Sequence, residues 1–423
     1  MKLKLNLILF VLITSLDAMT LKEIVKIGLQ ADPEVLAEIS RYEAKKTSVS
    51  LAKSGYYPKL NLDAEIGYEE SDRDNLHSQQ RNTDYTRKEV SVRLRQPIFE
   101  GFATSSDVSR SYAEKEAVKY ELGTLTENKS LKIIKAYVNV LKSKEIILLA
   151  EVNLKIHEEI YESIKKRYEQ GVSDKADLIQ IKGRVANATT DLISAKNNAL
   201  DSEAVYIKLI NMKPRELEKI FLDEIKIPDT LDEIIREAKK NNPAILTAKK
   251  NIDLLKSKKK STESGYYPHF YGDFFVNYRD DADGIEGRQD KYQAMIKMEW
   301  NIFNGFKDTC QNEIVQKEIL SSEQKAQNTK RQLILESTLS WNAYTLLKAQ
   351  LISMREHVKF SKEAKVLYQQ QYNVGRRSLI DVLNSQVEAF NASKSFIAAE
   401  HDILVAKYRI LNSMGTLNKS LGI

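Results

Sequence analysis

The sequence predicts a mixed α+β membrane protein, in which long α-helical hairpins and four transmembrane β-strands per chain form two similar halves. The chain has 423 residues and 42% apolar content, enough for a sizeable core. Three observations predict the fold class: an N-terminus typical of exported proteins, two long segments without proline, and four stretches that alternate between apolar and polar residues.

The N-terminus, residues 1–18, is predicted to be a secretory signal peptide. It begins with the basic sequence MKLK, continues with the apolar run LNLILFVLI, and ends at a small residue, Ala18. This order of basic, apolar and small-residue regions is typical of cleaved export signals. A buried N-terminal helix is the alternative interpretation. We therefore expect the mature chain to leave the cytoplasm.

The rest of the chain reads as two copies of one unit. The segment LKEIVKIGLQADPEVL resembles LDEIIREAKKNNPAIL, SGYYP occurs twice, and QPIFEGF resembles WNIFNGF. Equivalent residues are 210 positions apart before the alternating stretches and 204 apart after them. The six residues missing from the second copy therefore lie between its alternating stretches, where a surface loop can vary in length.

These similarities set the predicted boundaries. The first repeat is 19–211, with a β-hairpin at about 57–99 and a long helical hairpin at about 102–211. The second repeat is 230–415, with a β-hairpin at about 266–303 and a long helical hairpin at about 306–414. A connector, 212–229, joins the two repeats, and residues 416–423 form a C-terminal tail.

Helices are predicted before and after each pair of strands. The short opening helices end before Pro33 and Pro243, because the residue before proline disfavours the α conformation. The proline-free segments 102–168 and 306–372 predict helices on the order of 100 Å long. A glycine-containing tip follows each one, and a second helix returns. The returning helices carry a narrow apolar stripe of coiled-coil type, formed by Leu178, Ile181, Val185, Leu379, Val382, Leu383 and Ala389.

The alternating stretches after the SGYYP boxes predict two β-hairpins. Each strand is about ten residues or longer, the length that a tilted strand needs to cross a bilayer. A half-buried sheet on a soluble core is the alternative, but it leaves the many charges on the polar face unexplained. A lipid-facing band with aromatic ends, opposite a polar lumen, accounts for both faces. The apolar faces carry Leu60, Leu62, Ala64, Ile66, Tyr68, Val90, Val92 and Leu94, then Phe270, Phe274, Val276, Tyr278, Tyr292, Ala294, Ile296, Met298 and Trp300.

Several classes of function find no support in the sequence. The five histidines lack metal-ligand spacing, and neither a glycine-rich phosphate loop nor a nucleophile elbow is found, so we expect no enzyme, cofactor or metal site. The net charge of +6 comes from interspersed cations and anions, so no nucleic-acid surface is expected. The single Cys310 cannot form an internal disulfide.

Four strands per chain imply assembly. They cannot close a barrel, and an open sheet edge in hydrocarbon would leave backbone groups without hydrogen bonds. Two copies would give eight strands and a barrel filled by its own side chains, whereas three would give twelve strands and leave an opening. The sequence therefore predicts a hollow homotrimer.

The doubled order of elements, the YYP boxes, QPIFEGF, the tip sequence YNVGRRSLIDVLNSQ and the closing LNSMGTLN resemble the TolC family of outer-membrane efflux and type I secretion channels. The resemblance covers essentially the whole mature chain. It implies a trimeric twelve-stranded barrel in the outer membrane, a periplasmic helical tunnel, and an equatorial region containing the connector and the tail. It also implies a passive exit duct whose partners are a periplasmic adaptor, an inner-membrane transporter of ABC or RND type, and outer-membrane lipid.

The resemblance further implies a gate at the periplasmic helix tips. Asp381 falls at a ring of carboxylates that constricts the pore, and its repeat equivalent Asp177 falls at a link on the neighbouring hairpin. Asn384 occupies the position of a second family aspartate, and Gln180 is its repeat equivalent. We therefore expect one ring that attracts cations, and the sequence does not decide whether a second ring exists.

A latch and two docking tips complete the expected site. Tyr372 and Arg377 fall at latch positions, where an arginine can bind a carboxylate directionally. The tips Gln170-Gly171-Val172 and Val374-Gly375-Arg376 resemble adaptor-docking turns. Ordinary solvated charges and simple turn chemistry are the alternative for these residues. The alternative for the whole chain is a structural coiled-coil protein of the periplasm.

Overall fold

The computed structural model describes residues 19–72 and 82–423. The predicted signal peptide and the loop at 73–81 lie outside the described residues. The first half contains α1 (Leu21–Ala31), α2 (Pro33–Lys53), β1 (Lys59–Asp72), β2 (Asn82–Glu100), α3 (Ala103–Glu169) and α4 (Lys175–Ile210). The second half contains α5 (Leu231–Asn241), α6 (Pro243–Thr262), β3 (His269–Ala282), β4 (Ile285–Glu299), α7 (Lys307–Asn373), α8 (Leu379–Met414) and the short α9 (Leu417–Ser420).

The two halves follow the same order of elements. The long helices α3 and α7 have 67 residues each, and the returning helices α4 and α8 have 36 each. The predicted fold class is confirmed in that the described chain is mostly helical and contains one four-stranded antiparallel sheet. No helix among the described residues combines the length and the apolar character needed to cross a membrane.

The chain divides into two compact units, each built from both halves. One unit, residues 38–121 and 244–329, holds the sheet with the helical segments next to it. The other, from α1 to residue 37 together with 122–243 and 330–423, holds the helical hairpin tips, the connector and the C-terminal tail.

The sheet has the strand order β1-β2-β3-β4, with every neighbouring pair antiparallel. The register keeps apolar residues together, since Leu62 lies opposite Val92 and Val276 opposite Tyr292. A two-residue turn joins β3 to β4, with φ of 57° at Asp283 and 71° at Gly284. Two positive φ values in a row are what a tight hairpin turn requires, and Asp-Gly is a favoured pair for it. The strand β4 ends at Glu299, so Trp300 follows the strand.

The SGYYP boxes connect a helix to a strand in both halves, and their glycines lack the left-handed conformation that is common at helix ends. Neither Gly55 nor Gly265 has a positive φ. Instead, a Cβ atom at Gly55 would lie 2.9 Å from Cγ2 of Thr104, and one at Gly265 would lie 2.8 Å from the carboxylate of Asp308. A Cβ atom at either position would therefore displace a side chain of the helix that follows the strands.

The core beneath the helical tips confirms the predicted apolar stripe. Ile164 of α3, Ile181 of α4, and Leu379 and Leu383 of α8 form one buried cluster. Val382 and Ala389 are also buried on α8. This packing fixes the position of the turns that carry the predicted gate.

Candidate functional site

The sheet exposes apolar side chains on one face and buries polar side chains on the other. Ile66 and Ile296 are each 77% exposed, whereas Asp273 is 2% and Asn277 is 5% exposed. This is the reverse of a water-soluble sheet, in which the exposed face is polar. The arrangement suits one face toward lipid and one toward an aqueous interior.

Aromatic residues lie at both ends of the apolar face. Tyr278 and Tyr292 form an edge-to-face pair near the hairpin turn, with ring centres 5.9 Å apart and hydroxyl oxygens 2.9 Å apart. Exposed Tyr57 lies at the other end, just before β1 begins and eleven positions before exposed Tyr68 of β1. That separation is about 36 Å along a strand, or about 25 Å across a bilayer at the usual tilt. The two aromatic ends thus match the two membrane interfaces.

Ion pairs occupy the polar face near the hairpin turns. Arg87 binds Glu69 at 3.0 Å and also contacts Glu89 and Asp283. Asn277 donates a hydrogen bond from Nδ2 to Glu89 at 2.9 Å. The charges at this end of the polar face therefore largely neutralise one another.

Several buried polar atoms of the same face have no protein partner among the described residues. Such atoms cost free energy unless they are hydrated, so this face is suited to an aqueous lumen. They are Arg87 Nε, Asp273 Oδ1, Asn277 Oδ1, Arg279 Nε and Gln289 Nε2.

The tip between α3 and α4 carries the first set of predicted site residues. Gly171 has φ of 75° and donates its amide hydrogen to the carbonyl oxygen of Tyr168 at 2.9 Å. Gln170 and Val172 flank it, and all three residues are exposed. Asp177 lies in the first turn of α4 and accepts a hydrogen bond from Ser173 Oγ at 3.0 Å. The turn therefore presents its predicted docking residues to solvent.

The tip between α7 and α8 repeats this geometry. Gly375 has φ of 74° and donates its amide hydrogen to the carbonyl oxygen of Tyr372 at 3.0 Å. Val374 and Arg376 flank it and are exposed. Ser378 caps α8 by accepting the amide hydrogen of Asp381 at 3.3 Å, and its Oγ donates to the Asp381 carboxylate at 2.8 Å.

Arg377 and Asp381 lie together at the start of α8. The distance between Arg377 Nη1 and Asp381 Oδ2 is 3.7 Å. The guanidinium also stacks on the ring of Tyr368 at 4.0 Å, and its Nε donates to Gln371 at 3.0 Å. Three contacts therefore hold Arg377 beside the predicted ring residue.

Tyr372 lies half-buried against the tip core. Burial raises the pKa of its hydroxyl; Arg167, which stacks on the ring at 5.4 Å, opposes that rise, and the negative charge of Asp177 adds to it. The hydroxyl of Tyr372 therefore stays protonated, and remains a hydrogen-bond donor, at neutral pH.

The amide side chains of Asn384 and Gln180, which stand where a second ring would lie, have different surroundings. Asn384 is exposed on α8 and accepts a hydrogen bond from Arg184 Nη2 at 2.7 Å. Gln180 is partly buried on α4, one turn before Arg184. Asn384 therefore links α8 to α4.

Sequence reasoning missed two buried polar contacts that anchor the connector and the tail. Lys407 Nζ donates to the carbonyl oxygens of Leu222 at 2.8 Å and Ile225 at 2.9 Å. The Glu127 carboxylate accepts the amide hydrogens of Leu417 and Asn418, each at 3.0 Å. Burial raises the pKa of Glu127 to about 7. No local signal marks either residue, because the partners are distant in sequence.

Comparison with known proteins identifies the family. The family model described as outer membrane efflux protein matches residues 25–211 and 234–416, which is most of the chain. The chain belongs to the outer membrane efflux protein family. This confirms the resemblance to TolC-type channels found in the sequence.

Individual relatives and structural neighbours are distant in sequence but similar over most of their length. The outer membrane efflux protein BepC of Brucella suis is 22% identical over 372 residues, which cover 88% of this chain and 79% of BepC. The outer membrane protein TolC of Vibrio cholerae is 21% identical over 415 residues, covering 95% of this chain and 92% of TolC. A solved structure of CusC superimposes with a TM-score of 0.81 at 12% identity, over 93% of this chain and 91% of CusC.

Membership in the efflux protein family establishes the general function. The protein is an efflux channel component of the outer membrane, and its family consists of channel proteins. The exposed apolar face and the polar face of its sheet agree with that location.

Proposed function

We propose that three copies of the chain close a twelve-stranded barrel that serves as the passive exit duct of a tripartite efflux or type I secretion system. The protein is a conduit and not an enzyme. The observation that carries this proposal is the sheet itself, whose apolar face is exposed and whose outer strands β1 and β4 each pair on one side within the described chain. Unpaired strand edges are not stable in hydrocarbon, so copies must supply the missing neighbours.

The two halves of the chain act in this proposal as structural repeats. Equal lengths of α3 and α7 and of α4 and α8 support it. The left-handed backbone that follows the strands in both halves, with φ of 67° at Phe102 and 62° at Phe306, also supports the proposed repeat. The proposed repeats are 19–211 and 230–415, joined by an equatorial connector at 212–229.

The proposed gate lies at the helical tips. Asp381, from three chains, forms a carboxylate ring, and Asn384, Asp177 and Gln180 line its surroundings. Tyr372 and Arg377 hold the tips in the closed state. Support comes from the contact between Arg377 and Asp381 and from the stacking of Arg377 on Tyr368 of α7.

The proposed partners are a periplasmic adaptor at the tips, an inner-membrane transporter of ABC or RND type, and the lipid around the barrel. Exposure of Val172 and Val374 at glycine turns supports docking there. A Val374→Cys variant in a Cys310→Ser background should cross-link in intact cells to a membrane-anchored periplasmic protein. Ile66→Cys, on the apolar face, is the matched control. Equal cross-linking of both variants, or of neither, would show that the adaptor does not dock at the tips.

Function in export is tested by deletion and complementation. Cells that lack the protein should become more sensitive to toxic small molecules, lose secreted proteins from the medium, or both, and the wild-type chain should restore the defect. Purified protein should also form ion-conducting channels in planar lipid bilayers. Absence of channels together with unchanged drug sensitivity and secretion would contradict the proposed function and favour a structural role in the periplasm.

A further inference from the structure

Three cationic side chains come together between the long helix α3 and the returning helix α8. Lys132 and Lys135 lie one turn apart on the same face of α3, and Arg409 of α8 is close enough for its charge to act on Lys135. All three residues are exposed. Partial desolvation and the two neighbouring positive charges lower the pKa of Lys135. We call Lys132, Lys135 and Arg409 the cation cluster.

Contacts on both sides of the cation cluster connect the two helices. On one side, Asn412 Nδ2 donates a hydrogen bond to Asn128 Oδ1 at 3.3 Å. On the other side, Lys142 Nζ is 3.4 Å from Asp402 Oδ1. The two helices are therefore antiparallel here, and both contacts hold the cluster between them. The cluster is built by the packing of two distant segments of the chain.

The positive charge of the cation cluster has no acidic partner close by. Among the described residues, no carboxylate oxygen lies within 4 Å of the side-chain nitrogens of Lys132, Lys135 or Arg409. The charges that act on Lys135 are those of the other two cluster residues, and both are positive. The N–H groups of the cluster therefore stay available to a bound anion.

Acidic residues are scarce in the helical segments around the cation cluster. Residues 122–144 of α3 contain only Glu127, whose carboxylate binds the backbone of α9. Residues 401–414 of α8 contain only Asp402, which pairs with Lys142, and residues 337–355 of α7 contain none. At the end of α4, Asp201 and Glu203 form no ion pair with the cluster. Positive charge is therefore in excess at this level of the helices.

The cation cluster lies on the side of the helices that faces away from the connector. Residues two positions apart on a helix point about 200° apart. Tyr137, two positions after Lys135, donates its hydroxyl hydrogen to the carbonyl oxygen of Glu218 in the connector at 2.7 Å. Lys407, two positions before Arg409, also binds carbonyl oxygens of the connector. In the proposed tunnel the cluster faces the lumen, since a duct stays open only if the connector crosses the helices on the outside.

We infer that the cation cluster is a binding site for multivalent anionic solutes, in the lumen at the level of the connector, with phosphate as the group it binds. Ammonium and guanidinium groups bind phosphate oxygens through charge-assisted hydrogen bonds. Along α3 the site is about 50 Å from the helical tip, so it acts separately from Asp381. Its location in a lumen rests on the proposed function, whereas its affinity for anions does not.

Calorimetric titration of the purified protein in detergent with sodium tripolyphosphate tests the site itself. The variant K135Q/R409Q should bind about ten-fold more weakly or less, because hydrogen bonds between charged partners are lost. K135R/R409K keeps both charges and should bind as the wild type does. Lys144→Gln is the matched control, because exposed Lys144 lies two turns from Tyr137 and shares its side of α3. No binding by the wild type, or equal binding by K135Q/R409Q, would overturn the inference.

Conductance in planar bilayers tests the location of the cation cluster. Tripolyphosphate should reduce the conductance of wild-type channels, and K135Q/R409Q channels should need a higher concentration for the same block. Wild-type channels that bind tripolyphosphate but conduct unchanged in its presence would contradict the position in the lumen. A wild-type protein that binds tripolyphosphate but forms no channels would contradict the proposed function, and its binding would still support the anion site.

Discussion

Individual residues at the helical tips combine fixed geometry with weak electrostatic contacts. The side chains of Arg377 and Asp381 are 34% and 40% exposed, so water screens their attraction. An exposed pair of this kind contributes about 0–1 kcal/mol. Such a contact is suited to a gate that must open and close under modest forces.

Removal of the proposed latch should open the resting channel. Arg377→Ala deletes the contact with Asp381 and the stacking on Tyr368, so the closed state loses stabilisation. We expect a higher resting conductance in planar bilayers. Arg376→Ala, at the neighbouring exposed position of the turn, is the matched control and should conduct as the wild type does. Equal conductance of the Arg377 variant and the wild type would exclude Arg377 from the latch.

Removal of the proposed ring should weaken block by cations. Asp381→Ala eliminates one carboxylate per chain from the constriction, so divalent and trivalent cations should inhibit single-channel conductance only at higher concentration. Glu388→Gln, an exposed substitution on the same helix, should leave the block unchanged. If Asp381→Ala retains wild-type block, the constriction does not involve this residue.

At the scale of secondary-structure elements, junctions between elements depend on close contacts that span long sequence distances. The box at Gly55 approaches the start of α3 so closely that a methyl group would overlap Thr104. Glu127 of α3 likewise holds the first amides of α9. The elements are thereby fixed relative to their neighbours within each compact unit.

A methyl group at the helix-to-strand junction should destabilise the fold. Gly55→Ala places Cβ at 2.9 Å from Thr104 Cγ2, and overpacking of this kind costs about 1–3 kcal/mol. Thr104→Ser removes that methyl group, so the double variant should recover most of the loss. Thermal unfolding in detergent is the measurement, with Gly183→Ala as the control because open space surrounds that position. A double variant as unstable as Gly55→Ala would show that the overlap with Thr104 is not the cause.

The stability of the folded chain around α9 should depend on pH through Glu127. Burial raises the pKa of Glu127 from 4.5 to about 7, so the folded state favours the protonated carboxyl. The free energy of unfolding should therefore be greatest below pH 4.5 and decrease as the pH rises to about 7. Amide hydrogen exchange at Leu417 and Asn418, corrected for the intrinsic rate, measures this.

Two substitutions complete the pH experiment. Glu127→Gln should abolish the dependence of α9 protection on pH, since the amide does not titrate in this range. Glu151→Gln, at an exposed position of α3, should preserve it. Protection at Leu417 that is equally pH-dependent in the Glu127 variant would assign the effect to another group.

The sequence predicts the regular elements better than their contacts. The proline-free segments 102–168 and 306–372 correspond to α3 and α7, and the alternating stretches correspond to the four strands, because periodicity is a local property. The close approach at Gly55, and the partners of Glu127 and Lys407, depend on residues far along the chain. The turn at Asp283-Gly284, in contrast, depends on its own two residues, since an Asp-Gly pair favours a tight hairpin turn.

For the whole molecule, the location in the outer membrane follows from the family and agrees with the exposed apolar face of the sheet. The polar residues of the candidate gate were found by resemblance, and their spacing alone carried no such information. Their arrangement around a pore depends on how copies assemble. The number of copies therefore decides whether the sheet and the gate act as proposed.

In the proposed function, one chain supplies one third of a closed channel. Native mass spectrometry of the protein extracted from outer membranes in a mild detergent measures the number of chains directly. The proposed function predicts a single species of three chains, which dissociates to one chain on heating. A stable species of one or two chains would contradict it, because four or eight strands do not enclose an open lumen.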